Sequence, residues 1–102
     1  MPANVQISPA TVPQPQNVLP SFDCSKAKSV NEKLICGDSE LSALDSQFGE
    51  IYRQAKTRAI DKNAFNQQAV AEWKLREANC QEKACLTDWY ARRKAQLLQI
   101  AE

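Results

Sequence analysis

The sequence contains no histidine. That absence removes the side chain most often used as a general base near neutral pH, the base of Ser-His-Asp and Cys-His nucleophile pairs, and the commonest metal ligand. Long apolar runs are missing too: nothing approaches the roughly 20 residues that a membrane-spanning helix needs. The first residues also lack the basic start and the apolar run of about 7 to 15 residues that mark a secretory leader. The chain as given is expected to be soluble, and if it is exported, a leader is expected to have been removed ahead of Met1. Charge of one sign is scarce in excess: 13 Lys and Arg against 12 Asp and Glu leave +1. No global field therefore draws the chain toward nucleic acid or an anionic lipid surface, and neither nucleic-acid binding nor membrane insertion is expected. Arg92-Arg93-Lys94 is the one basic cluster. Its charges spread around a helical turn, and the nearby helix C-terminus and solvation account for them.

Proline and glycine are scarce where structure would suffer from them. All five prolines (Pro2, Pro9, Pro13, Pro15 and Pro20) lie in residues 1–20, which hold no charged side chain. That stretch cannot bury enough apolar surface to offset its ordering entropy, so residues 1–20 are predicted to be a disordered, proline-rich linker with polyproline II character. From Ser21 onward there is no proline, and the only glycines are Gly37 and Gly49. Residues 21–102 read as a single helical domain.

Ser29 is expected to cap a short helix over residues 30–36, with Glu32 in capping-box position and Gly37 as its stop signal. Asp38 or Ser39 then opens a second helix, in which Leu41, Leu44, Phe48, Ile51, Tyr52, Ala55 and Ala59 draw one apolar stripe to about residue 60. After the polar break Asp61-Lys62-Asn63, with Asn63 as cap, Phe65, Ala69, Val70 and Trp73 give a third helix ending near Asn79. A fourth follows Gln81-Glu82-Lys83 and carries Leu86, Trp89, Tyr90, Leu97 and Ile100. The fold expected is an all-α, disulfide-stapled bundle of three main helices plus one short N-terminal helix. Glu72 with Arg76 and Asp88 with Arg92 are spaced for favourable i,i+4 pairs.

Four cysteines in a chain of 102 residues fit two structural disulfides and an oxidising compartment, periplasmic or secreted. Zinc sites usually bring paired cysteines with about two to four residues between them; Cys80 and Cys85 enclose four, but Cys24 and Cys36 enclose eleven, so only one of the two pairs has that spacing. Three pairings are open. Sequential pairing, Cys24 with Cys36 and Cys80 with Cys85, is the simplest, because each pair brackets a helix end; chain-entropy arithmetic gives such bridges about 3 and about 2 kcal/mol. No cofactor or metal is expected. The acidic neighbours Asp38 and Glu40, Asp45 and Glu50, and Glu72 and Glu77 fall in amphipathic helices where solvated faces explain them, so no enzymatic activity is expected.

Phe22-Asp23-Cys24, then Val30-Asn31-Glu32-Lys33-Leu34-Ile35-Cys36, then Leu41, Leu44-Asp45 and Tyr52 resemble the LprI-like lysozyme-inhibitor family of bacterial envelope proteins. Trp73, Arg76, Glu77, Asn79 and Cys80, followed by Cys85-Leu86, Tyr90, Arg92 and Arg93, are similar to that family's closing pattern. The likeness covers roughly residues 21 to 98. It implies a non-enzymatic periplasmic or secreted binding protein that inhibits lysozyme by occluding its cleft. An envelope interaction module with another protein partner is the alternative. Asp45 and Arg76 match the family's pattern, and the resemblance implies a buried pair between them across helices. No lipobox cysteine stands at the N-terminus, so lipid anchoring of the chain as written is not expected. Exposed loops are the places to look for contact: Lys62 and Asn63 between the second and third helices, and Gln81, Glu82 and Lys83 between Cys80 and Cys85. Trp89 joins them as an interface anchor, because Trp89 and Tyr90 point about 100° apart and cannot both face the core squarely.

Overall fold

A computed structural model describes residues 19–101. The predicted linker falls outside the described residues, except for Leu19 and Pro20. A short 3-10 turn at Cys24–Lys26 leads into four helices: α1 (Val30–Gly37), α2 (Ser39–Arg58), α3 (Lys62–Asn79) and α4 (Lys83–Ala101). The all-α bundle and its division into one short and three long helices are as the periodicity implies.

Each helix start has a local cause. The Ser29 hydroxyl accepts from the Glu32 amide, while the Glu32 carboxylate accepts from the Ser29 and Lys28 amides, a complete capping box. Asp38 caps α2 through the Glu40 and Leu41 amides. Asp61, not Asn63, caps α3: its carboxylate accepts from the Ala64 amide at 3.0 Å, which places Asn63 inside the first turn. Gly37 closes α1 as a helical residue. No left-handed turn follows, because Asp38, at φ −128° and ψ 120°, serves α1 and α2 as a one-residue hinge.

α2 and α4 form the principal interface of the bundle. One apolar cluster joins Ile35, Leu41, Cys80, Leu86, Trp89 and Tyr90, with Phe22, Leu44 and Phe48 against it. A second joins Ala55, Phe65 and Leu97 at the other end of the molecule, with Phe48 packed on both. The disulfides are Cys24–Cys36 and Cys80–Cys85. The first ties the chain entering the domain to the end of α1, and the second ties the end of α3 to the start of α4.

Ser21 is strapped across α2, with its amide and its hydroxyl both donating to Asp45 Oδ2 at 2.6 Å. This close approach requires Gly49, because a Cβ there would lie 2.8 Å from Ser21 Cβ. At Gly37 nothing lies within 4 Å of an added Cβ. Gly49→Ala is therefore expected to lower stability by about 1 kcal/mol or more, since overpacking outweighs the helix-propensity gain. Gly37→Ala is expected to raise it by about 0.5 kcal/mol. Urea unfolding of the two variants gives opposite signs.

Candidate functional site

α3 is held to the bundle near its two ends. At its start Phe65 packs with Ala55 and Leu97 and sits 5.3 Å from the Tyr52 ring. At its end Asn31 of α1 joins two groups, donating from Nδ2 to the Cys80 carbonyl at 2.5 Å and accepting from Arg76 Nε at 3.1 Å. Between these anchors α3 bridges a groove of about 440 Å³. Ala69, Val70 and Trp73 of α3 form one wall and Asp45, Phe48 and Tyr52 of α2 another, with Trp89 and Arg93 of α4 also lining it. On its α4 side the middle of α3 is tied by the Glu72–Arg92 ion pair at 3.2 Å. Glu72 thus meets Arg92 across helices, and Arg76 pairs with Glu77 at 3.0 Å, in place of the two i,i+4 pairs expected from spacing.

The polar groups buried around this groove are nearly all satisfied. Asp45 accepts from Ser21 and, through Oδ1, from the Tyr90 hydroxyl at 2.6 Å. Arg76 lies over the Trp89 ring at 5.1 Å, in cation–π range. Asp45 and Arg76 are both buried, as expected, but each is bound elsewhere, and Tyr90 stands between them under the influence of both charges. Burial pushes the Tyr90 phenol well above its ordinary value, and the Asp45 carboxylate adds to the rise. Trp89 Nε1 and Arg93 are the exceptions: Trp89 Nε1 is buried without a partner, and Arg93 is 2% exposed, its Nη1 donating to Gln96 Oε1 at 3.1 Å while its Nε is buried without a partner. Burial disfavours its charge, and nearby Glu72 offsets part of that. Arg93 therefore does not share the solvated role expected for the Arg92-Arg93-Lys94 cluster. It stands in the buried stripe of α4, three residues after Tyr90 and four before Leu97.

The predicted contact residues are scattered. Lys62 is committed to the end of α2, its Nζ donating to the Lys56 and Thr57 carbonyls, the latter at 2.8 Å. Lys83 bridges to the start of α2, meeting Asp38 at 3.0 Å and also Glu40. Asn63, Gln81 and Glu82 are exposed. Trp89 is 6% exposed, inside the core, with its ring centroid 5.2 Å from those of Phe48 and Tyr90. Trp73, read from its spacing as core, is 47% exposed at the lip of the groove. Position 73 follows the apolar spacing of α3, yet the helix stands off the bundle there.

Charge sets a pH window for stability. Hydrogen bonds from Ser25 to Asp23, from the Lys28 and Ser29 amides to Glu32, and from the Leu41 amide to Asp38 hold these carboxylates below their ordinary values of 3.8 to 4.5. Carboxylates lowered on folding contribute stability above their unfolded values and lose it as pH falls through the folded ones. Two groups are raised on folding, the Lys83 ammonium by Glu40 and then Asp38, and the Tyr90 phenol by burial. Their contribution is present below about pH 10 and is lost above it. Urea midpoints are expected to stay level from about pH 5 to 9 and to fall outside that range.

Among the described residues, no three His, Cys, Asp or Glu side chains are placed to hold a metal ion, and no helix is long and apolar enough to cross a membrane. The arrangement defines a small all-α domain with two disulfides, stapled at the chain's entry into the bundle and at the α3–α4 turn. Its four cysteines in two disulfides fit an LprI-like domain, and the chain is a distant relative of the lipoprotein LprI of Mycobacterium bovis and of two strains of Mycobacterium tuberculosis. It is 32% identical to each over 81 residues, which is 76% of this chain and 40% of the relative. The chain thus matches less than half the length of these curated relatives. No family model matches it, and no solved structure does.

Proposed function

We propose that the protein is a non-enzymatic binding protein of the periplasm or extracellular space that inhibits lysozyme by occluding its sugar-binding cleft. The observation that carries this reading is the α3–α4 turn. Gln81 and Glu82 are exposed at its tip, the Cys80–Cys85 disulfide closes its base, and buried Cys80 is fixed to Asn31 through its carbonyl. Lys83 ties the other side to Asp38 and Glu40. A protrusion braced on both sides loses little conformational freedom on docking, which favours tight occlusion. The Gln81 carboxamide offers a donor and an acceptor side by side, as does the N-acetyl group of a peptidoglycan sugar. The LprI-like domain and its two disulfides support an extracytoplasmic setting.

The test is titration of the oxidised protein against chicken-type, goose-type and invertebrate-type lysozymes in a peptidoglycan-clearing assay. Saturable inhibition near equal stoichiometry is expected, with loss on reduction and alkylation and a weakening of at least tenfold in a Gln81→Ala/Glu82→Ala variant. Full inhibition by that variant would move the contact away from the turn. Failure against all three enzymes would favour an envelope interaction module with a different protein partner, for which the half-exposed Val70 and Trp73 of α3 are the natural contact.

A further inference from the structure

We propose that the groove beneath α3 binds a small amphiphilic carboxylate, an acid group carried on an apolar chain or ring, with Arg93 receiving the acid. This binding is independent of lysozyme binding, and no residue of the Cys80–Cys85 turn lines the groove. Buried cations in proteins are ordinarily paired with a carboxylate or fully hydrogen-bonded. Arg93 is neither: among the described residues it forms no ion pair, its Nη1 donates to the neutral Gln96, and its Nε has no acceptor.

The charged groups around it are already engaged. Glu72 pairs with Arg92, Asp45 takes Ser21 and Tyr90, Glu32 caps α1, and Arg76 pairs with Glu77. Trp89, beside Arg93 on the lining, also keeps its Nε1 buried without an acceptor. Both orphaned groups are donors, so what completes them is a ligand that brings acceptor oxygens.

The rest of the lining specifies the ligand's body. Phe48, Tyr52, Ala69, Val70 and Trp73 are apolar or aromatic, and the volume of about 440 Å³ suits a small molecule, within the usual range of about 300 to 1,000 Å³. Val70 and Trp73 are half exposed, which leaves the lip open for entry. Asp45 and Glu32 also line the groove. Their carboxylates would repel a multiply charged phosphate, so a single negative charge is the better match. A plain hydrocarbon would leave the Arg93 and Trp89 donors unmet.

The oxidised full chain should be titrated with decanoate and, separately, with decanol, which has the same chain without the charge. Calorimetry and tryptophan emission read the binding, since Trp73 and Trp89 both line the groove. One decanoate per chain is expected, bound at least tenfold more tightly than decanol. Arg93→Met is expected to remove that preference and leave decanol binding unchanged, with circular dichroism showing that the helices persist. If Arg93→Met does not fold, the wild-type comparison of the two ligands decides. No saturable binding of decanoate, equal affinity for decanoate and decanol, or unchanged decanoate affinity in folded Arg93→Met would each overturn the proposal.

Discussion

Trp89→Ala is expected to lower the unfolding free energy by about 3–5 kcal/mol, whereas Trp73→Ala should change it by no more than about 0.5 kcal/mol. Trp89 is nearly fully buried and touches the rings of Phe48 and Tyr90 and the guanidinium of Arg76. Truncating it removes apolar burial, opens a cavity where α1, α2 and α4 meet, and strips a buried cation of its aromatic face. Trp73 is half exposed on a helix that stands off the bundle, so little packing goes with it. A domain of this size has a net stability of about 5–10 kcal/mol, so Trp89→Ala should lie close to unfolding at ambient temperature. Urea titration followed by circular dichroism separates the two variants. A large loss in Trp73→Ala with a small one in Trp89→Ala would mean that α4 is rotated from the orientation described.

Asp45→Ala is expected to lower stability by about 3 kcal/mol, because one carboxylate accepts three hydrogen bonds from two distant parts of the chain. Its loss frees the Ser21 strap and leaves the Tyr90 hydroxyl buried without an acceptor. Tyr90→Phe should cost less, about 1 kcal/mol, because Asp45 keeps both bonds from Ser21. The two changes should not add. Once Asp45 is absent, removing the orphaned hydroxyl relieves a penalty, so the double variant should be no less stable than Asp45→Ala. Strict additivity in that cycle would show that the Tyr90–Asp45 bond contributes nothing.

Much of this molecule was legible along the chain. The capping box at Ser29 and Glu32, the Asp38 cap and the lengths of the helices follow from local chemistry, because a cap and its amide partners lie within three residues of each other. The simplest cysteine pairing, Cys24 with Cys36 and Cys80 with Cys85, is the one observed for the same reason: each bridge spans a single turn or short helix. Reading Asn63 as the α3 cap missed by two residues. Asp61 offers an equally good acceptor, and Lys62 is drawn into the helix by its bonds to the end of α2.

The groove left a fainter trace. Asn31, Asp45, Arg76 and Arg93 all occupy positions that apolar periodicity assigns to the core: Asn31 is four before Ile35, Asp45 four after Leu41, Arg76 three after Trp73, and Arg93 three after Tyr90. A polar residue in core register signals a buried network, and that signal was available for Arg93. The partners of the other three were not, because Asn31 lies 45 residues from Arg76 and Asp45 lies 45 from Tyr90. The fates of Lys62, Lys83 and the two tryptophans were hidden for a related reason. Periodicity reports which face of a helix is apolar, but how closely that face meets its neighbours depends on where the helix is anchored. In α3, packing at Phe65 and the Asn31 bonds at Arg76 and Cys80 hold the two ends, and the span between them leaves Trp73 in the open and Arg93 enclosed. Local capping, helix lengths and disulfide spacing are short-range properties and were written in the order of residues, whereas the groove arises from the standoff of one helix from two others and exists only once the bundle has assembled.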